Sequence, residues 1–273
     1  MFAAASSIAL GFALVVFLFV GLSIYLAIVW QISARRLSSV PPADAVPKKT
    51  FGLPEVFLAA ALVSFFVMNI VVSMGRSTVQ LNTNDLRANL LFTVFIIFFI
   101  AAFLQLRRID IDAIAGFSKT TLKRALSTGI VLLLAATPLL LLAEALTQNI
   151  FGSGSSRQEI VDLFNSSQTI QQRVLIIVLA VVVAPISEEF IFRFFIYGVV
   201  RRYGGIVLGL VFNALLFAAA HNHAPSVAPL FVLGACFTLA YEWSGSVLVS
   251  MAMHTLFNSV QLIFLAFPDL FQR

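Results

Sequence analysis

Apolar residues in this chain come in long unbroken blocks, not at the spacing of an amphipathic helix and not in the alternation of a half-buried strand. A helix needs about 20 residues to cross the hydrocarbon core of a bilayer. Eight blocks approach that length, near 8–30, 55–75, 89–106, 125–147, 173–200, 205–222, 226–242 and 246–267. A helix that is apolar on every side belongs in lipid or in a large protein interior, and a bilayer demands that its backbone groups be satisfied within the helix. The pattern predicts an all-α fold, a polytopic membrane helix bundle of about eight transmembrane helices. The first block lacks a basic leading region and outruns the apolar core of a signal peptide, so it reads as a retained helix. Only His221 to Ser226 separates the sixth block from the seventh.

The polar intervals differ in kind. From Ser33 to Pro54, four prolines accompany Arg35, Arg36, Lys48 and Lys49, which predicts an irregular loop. Between Arg107 and Arg124, Ile109, Ile111, Ile114 and Phe117 are mixed with charges, as in a short amphipathic piece along the interface. The stretch from Gly152 to Gln172 is Ser- and Gln-rich and reads as an exposed connection. We divide the chain into N-terminal transmembrane helices (1–124) and a helical core carrying the chemistry (125–273). The first, third and fifth loops hold most of the lysines and arginines. The opposite side has Arg76, Arg87, Arg157, Arg173 and Arg273, so the richer loops are expected in the cytoplasm.

Composition agrees with a membrane location. Of 273 residues, 60% are hydrophobic and 11% charged, and the mean hydropathy is +1.02, whereas soluble domains carry roughly 25% charged residues. The 28 phenylalanines suit lipid-facing helices. The net charge of +5 is accounted for by basic loops beside anionic lipid, so membrane lipid is the expected partner and nucleic acid is not. The single cysteine, Cys236, lies in an apolar run and excludes an intrachain disulfide or a Cys-based metal motif. We expect an integral, multi-pass protein of a prokaryotic cell membrane.

Against this background a few residues stand out, because an ionisable group at the middle of a membrane helix costs about 2.5–3.5 kcal/mol on insertion scales. The fifth block contains APISEEFIFRFFIYG, from Ala184 to Gly198. Glu189 and Arg193 are four residues apart on one helix face and can pair. Glu188 points about 100° away and has no local partner, as suits a general base. Pro185 frees a backbone carbonyl one turn earlier and favours a kink. The sixth block ends in FAAAH (Phe217 to His221), and the eighth holds HTLFN (His254 to Asn258), each placing its end residues on a shared face. His223 lies beside a Pro-containing loop and reads as loop chemistry. At about 1.5 Å per residue, Glu188, His221 and His254 all fall inside a core about 30 Å thick. A carboxylate, two imidazoles and an amide can supply what peptide hydrolysis needs: a base for water and donors for the oxyanion. Neither GxSxG nor HExxH occurs, so those two signatures do not compete.

The three elements Glu188-Glu189-xxx-Arg193, Phe217-xxx-His221 and His254-xxx-Asn258, in this order on successive helices, resemble the type II CAAX-prenyl endopeptidase family, the CPBP or Abi intramembrane proteases. The resemblance runs from about Val174 to Val260, and the first four blocks match only in being hydrophobic. Many members carry glycine after the motif arginine, where this chain has Phe194. The resemblance implies an intramembrane endopeptidase acting on membrane-associated peptide or protein substrates. Glu188 and His221 would prepare the water, His254 and Asn258 would stabilise the oxyanion or share a metal, and Glu189 with Arg193 would support them. The metal would be divalent, zinc by expectation, with Glu188, His221 and His254 as its ligands. Two other readings use the same residues: a scaffold or bacteriocin-immunity protein of that family, and a proton-coupled transporter. A transporter predicts inverted repeats, whereas the buried ionisable groups other than Glu144 gather in the second half of the chain.

Overall fold

The computed structural model describes residues 2–38, 50–74, 83–152, 167 and 169–266, and these contain helices and turns but no strand. The helices are α1 (Phe2–Ser38), α2 (Leu53–Met74), α3 (Thr83–Leu106), the short α4 (Ile111–Ala115) and α5 (Leu122–Phe151). A continuous helical path follows: α6 (Ile170–Val178), π1 (Leu179–Val183), α7 (Ala184–Glu188), π2 (Glu189–Tyr197) and α8 (Gly198–Ala220). α9 (Val227–Ser244) and α10 (Val247–Ala266) complete it.

Seven helical runs among the described residues are long and apolar enough to cross a membrane. The longest, Ile170–Ala220, has 51 residues, and at 1.5 Å per residue it would reach about 75 Å, more than twice a hydrocarbon core. It is divided at Gly205, whose φ of 80° and ψ of 176° lie outside the helical region and are readily adopted only by glycine. The division falls at the junction of the two expected blocks, 173–200 and 205–222. Large apolar side chains such as Phe98 and Phe12 lie on the outside, where a bilayer replaces water. The chain is an integral membrane protein.

One boundary differs from expectation. The loop predicted from Ser33 starts later, because α1 continues to Ser38. Arg35 and Arg36 occupy its last turn, where cations favour the negative end of the helix dipole, and Arg35 Nη1 donates to the carbonyl of Trp243 at 2.9 Å. Most of the proline-rich linker (39–49), most of the Ser/Gln-rich connection (153–166 and 168), Arg76, Arg157 and Arg273 lie outside the described residues. The segment after Arg107 does form a short helix. Asp110 caps α4 by accepting from the Ala113 amide, and Gly116 in the left-handed region ends it.

α9 is the centre of the bundle and packs against α1, α5, α8 and α10. Polar ties fix it there: Tyr241 Oη donates to the carbonyl of Ile114 at 2.8 Å, and Trp243 Nε1 to Gln31 Oε1 at 2.8 Å. α1 is pinned to α5 by Tyr25 Oη donating to the carbonyl of Leu132 at 3.0 Å. Into this frame the path α6–π1–α7–π2 inserts its motif residues. π2 is buried along its whole length.

Candidate active site

The site grows from the unusual winding of that path. A π turn adds a residue per turn, is rare, and recurs at functional positions. Two π segments bracket α7, so Glu188 ends one register and Glu189 begins the next. Glu189 and Arg193 remain on one face and form an ion pair of 2.9 Å, both side chains fully buried. An isolated buried charge is costly, and a paired one is tolerated only when its remaining groups are also engaged. Arg193 meets that condition in part, through aromatic faces: its guanidinium carbon lies 4.1 Å from the Phe217 ring centroid and 5.2 Å from that of Phe237, while its Nε has no hydrogen-bond partner. Nη2 reaches the carbonyl of Gly234 at 3.4 Å.

His254 enters from α10. Its Nδ1 lies 3.0 Å from Glu189 Oε1, the same oxygen that faces Arg193. A carboxylate only accepts, so Nδ1 carries the proton in this contact. Nε2 therefore points the other way, 3.9 Å from Glu188 Oε2. That distance is ionic contact and not a hydrogen bond. The ring lies 4.9 Å from Phe237 at an interplanar angle of 30°, and 5.8 Å edge-on from Phe217. The imidazole is thus clamped by one carboxylate and two rings, and it bridges the two glutamates.

His221 ends α8, with Nδ1 2.8 Å from the carbonyl of Phe217 one turn earlier. The carbonyl fixes the proton on Nδ1 and leaves Nε2 with its lone pair. Glu188 and His221 both line a cavity of about 600 Å³ whose other walls come from α2, α3 and π1. Phe65, Phe66 and Phe92 make that cavity apolar, while Asn69, Asn89 and Thr93 give it polar points. Glu188 Oε2 is buried and has no hydrogen-bond partner in the protein. Asn258 Nδ2 donates to the carbonyl of Ala180 at 2.8 Å, a bond that uses one of the two N–H groups of its amide. His223 stays in the loop, with Nδ1 2.7 Å from Ser226 Oγ.

The motif residues are therefore assembled around Glu188, Glu189, Arg193, His221 and His254, with Asn258 tied to the neighbouring π turn. Two contributors were not read from the sequence. Phe237 carries no polar signal that would separate it from the other phenylalanines. Gly234 is essential space: a Cβ there would sit 3.1 Å from Phe217 Cδ1, 3.3 Å from Ala214 Cα and 3.3 Å from Arg193 Nη2. A fully buried ring and a helix backbone cannot retreat, so Gly234→Ala is expected to cost about 1–3 kcal/mol. The check is the melting temperature in detergent, and an unchanged value would mean slack between α8 and α9.

The expected zinc ligands were Glu188, His221 and His254. Among the described residues no three His, Cys, Asp or Glu side chains gather as a metal's ligand set. His254 and His221 each engage Nδ1, with Glu189 and with the carbonyl of Phe217, and His254 Nε2 stands 3.9 Å from Glu188 Oε2, while two donors on one tetrahedral zinc lie roughly 3.3–3.6 Å from each other. Of the three, Glu188 and His254 face each other, and His221 meets Glu188 across the cavity that both line.

With the geometry in place, comparison with known proteins is informative. Residues 170–260 match the family described as type II CAAX prenyl endopeptidase, Rce1-like. The resemblance read from the three motifs is borne out over this Rce1-like segment, which contains all seven motif residues. The membrane-embedded CAAX protease MroQ of Staphylococcus aureus (strain USA300) is 30% identical over 89 residues, covering 30% of this chain and 36% of that protein. The match thus spans little more than a third of the relative's length. No solved structure matches the chain. The Rce1-like segment and this relative support a membrane protease-like function. The walls supplied by α2 and α3 lie outside the Rce1-like segment.

Proposed function

We propose that the chain is an intramembrane endopeptidase that hydrolyses peptide bonds of membrane-associated substrates by a glutamate-and-water mechanism. The observation that carries this reading is Glu188: a buried carboxylate oxygen without a hydrogen-bond partner in the protein, on the wall of a cavity it shares with the free Nε2 side of His221. Water held between them gives one proton to Glu188 while its oxygen attacks the scissile carbonyl. The oxyanion that forms is met by His254, which in its imidazolium form presents Nε2–H with Glu189 fixing the other nitrogen. Glu188 then returns the proton to the leaving amine nitrogen, giving a carboxylic acid and an amine. The phenyl-lined cavity suits an apolar peptide segment, and Asn69 and Asn89 offer amides to its backbone. That chemistry suits a membrane-associated substrate, and the staphylococcal relative is itself named a membrane-embedded CAAX protease.

The test is purified protein in proteoliposomes with membrane-anchored peptide substrates, read by mass spectrometry of the products. Cleavage at one peptide bond, with one oxygen from labelled water in the new carboxyl group, is expected. Absence of cleavage across a broad apolar peptide set, or unchanged cleavage in His221→Ala, would defeat the reading. His223→Ala should leave rate and stability within experimental error, because it removes only a loop contact. Activity is also expected to survive exhaustive chelation. Loss on chelation that is restored by one equivalent of zinc would replace the glutamate-and-water mechanism with a metal-assisted one.

A further inference from the structure

The path that carries Glu188 is held in an unusual register, and that register leaves one hydrogen bond unmade within the helix. In π1 the bonding runs five residues back: the Ala184 amide donates to the carbonyl of Leu179. The next donor in the same register would be the amide of residue 185, aimed at the carbonyl of Ala180. Residue 185 is proline and has no N–H. A backbone carbonyl left unpaired at membrane depth is costly, because neither lipid nor a neighbouring turn can satisfy it. Asn258 Nδ2 from α10 donates to this same carbonyl, at 2.8 Å. One turn earlier on α10, His254 holds Glu189 Oε1 at 3.0 Å. α10 therefore grips the path at two points, one on each side of Glu188.

We propose that Asn258 is a positioning residue whose amide replaces the N–H missing at Pro185, so that the pair locks the π turn presenting Glu188 to the cavity. It acts through the carbonyl of Ala180, to which it gives one of its two N–H groups. Only the activity arm of the test rests on the hydrolase reading above. The stability arm stands without it.

A double-mutant cycle at the two positions decides the matter. Asn258→Leu keeps the side-chain volume and removes the donor, and should lower the melting temperature in detergent by at least about 3 °C. Pro185→Ala restores an N–H to the helix. In that background Asn258→Leu should cost less than about 1 °C, since the carbonyl of Ala180 or its α-helical neighbour is then satisfied from within. An equal loss in both backgrounds would overturn the proposal. Activity adds a second reading: Asn258→Leu should lower kcat at least tenfold with KM within about twofold, and the loss should shrink to within about threefold when measured against Pro185→Ala. An equal fall in kcat in both backgrounds would make Asn258 a reacting group and overturn the assignment. If no variant and no parent cleaves any peptide, the hydrolase reading fails, while the melting cycle still decides the role of Asn258.

Discussion

Glu188→Gln is expected to lower kcat about 10²–10⁴-fold while moving the melting temperature little. The two effects separate because the carboxylate has no fold to hold. Its Oε2 makes no hydrogen bond within the protein, and the nearest ionic group on that side, His254 Nε2, is 3.9 Å away. An amide of equal shape keeps the volume on the cavity wall and removes the carboxylate placed to take a proton from water there. Glu189→Gln should behave in the opposite way, with a large loss of stability, because Oε1 faces both Arg193 and His254 in a fully buried position. Steady-state kinetics and thermal unfolding of the two variants side by side provide the check. A Glu188→Gln enzyme within threefold of the parent kcat would remove Glu188 from the mechanism, however well the cavity is formed.

The contrast between neighbouring glutamates was legible from the chain, since a four-residue spacing to Arg193 favours one of them and the helical turn carries the other away. The bundle was legible for the same reason: lipid tolerates long apolar blocks, and their ends fall where Gly205 or polar clusters interrupt them. What the spacing could not give was the partner of each imidazole. His254 and Asn258 lie on one face, which suggested a joint role at the oxyanion. In the fold one is tied to Glu189 and the other to the carbonyl of Ala180, contacts that depend on the π turn of π1 and not on spacing along α10. A π turn leaves no periodicity of its own in an apolar sequence. Pro185 was the single visible clue, and its free carbonyl finds its donor 78 residues away.

The division of labour along the chain follows from the same geometry. The motif residues come from the Rce1-like segment at 170–260, yet much of the cavity beside Glu188 is built by α2 and α3. Those helices share only hydrophobicity with what the motifs identify, and their lipid-facing sides are free to vary. The cavity-facing residues are not equivalent to the rest. Asn69 in α2 donates back to the carbonyl of Phe65, and Asn89 in α3 accepts from Thr93, so each side chain keeps further hydrogen-bonding capacity. Substrate selection is thus expected to reside in the first half of the chain and bond cleavage in the second. Exchange of α2 and α3 should alter which peptides are cut more than how fast the bond breaks.

Arg193→Ala should be the most destabilising single change at the site, costing about 3–5 kcal/mol. The guanidinium is fully buried, it lies against Phe217 and Phe237, and it faces Glu189 at 2.9 Å. Its removal leaves a buried carboxylate with His254 as its remaining partner and opens a cavity between the two rings. Arg193→Lys should recover only part of the loss, because an ammonium keeps the charge but lacks the planar fork and the flat face that rests on the rings. The decisive variant replaces both partners. A well-packed apolar pair is often as stable as a buried ion pair, so Glu189→Met with Arg193→Met should return most of the melting temperature lost in Arg193→Ala. Activity should not return with it, since His254 Nδ1 would have no carboxylate to set its orientation and Nε2 would no longer be aimed at the Glu188 side. Recovery of both stability and turnover in the double variant would show that the pair only holds helices together. Recovery of stability alone assigns Glu189 and Arg193 the task of holding His254 for the reaction.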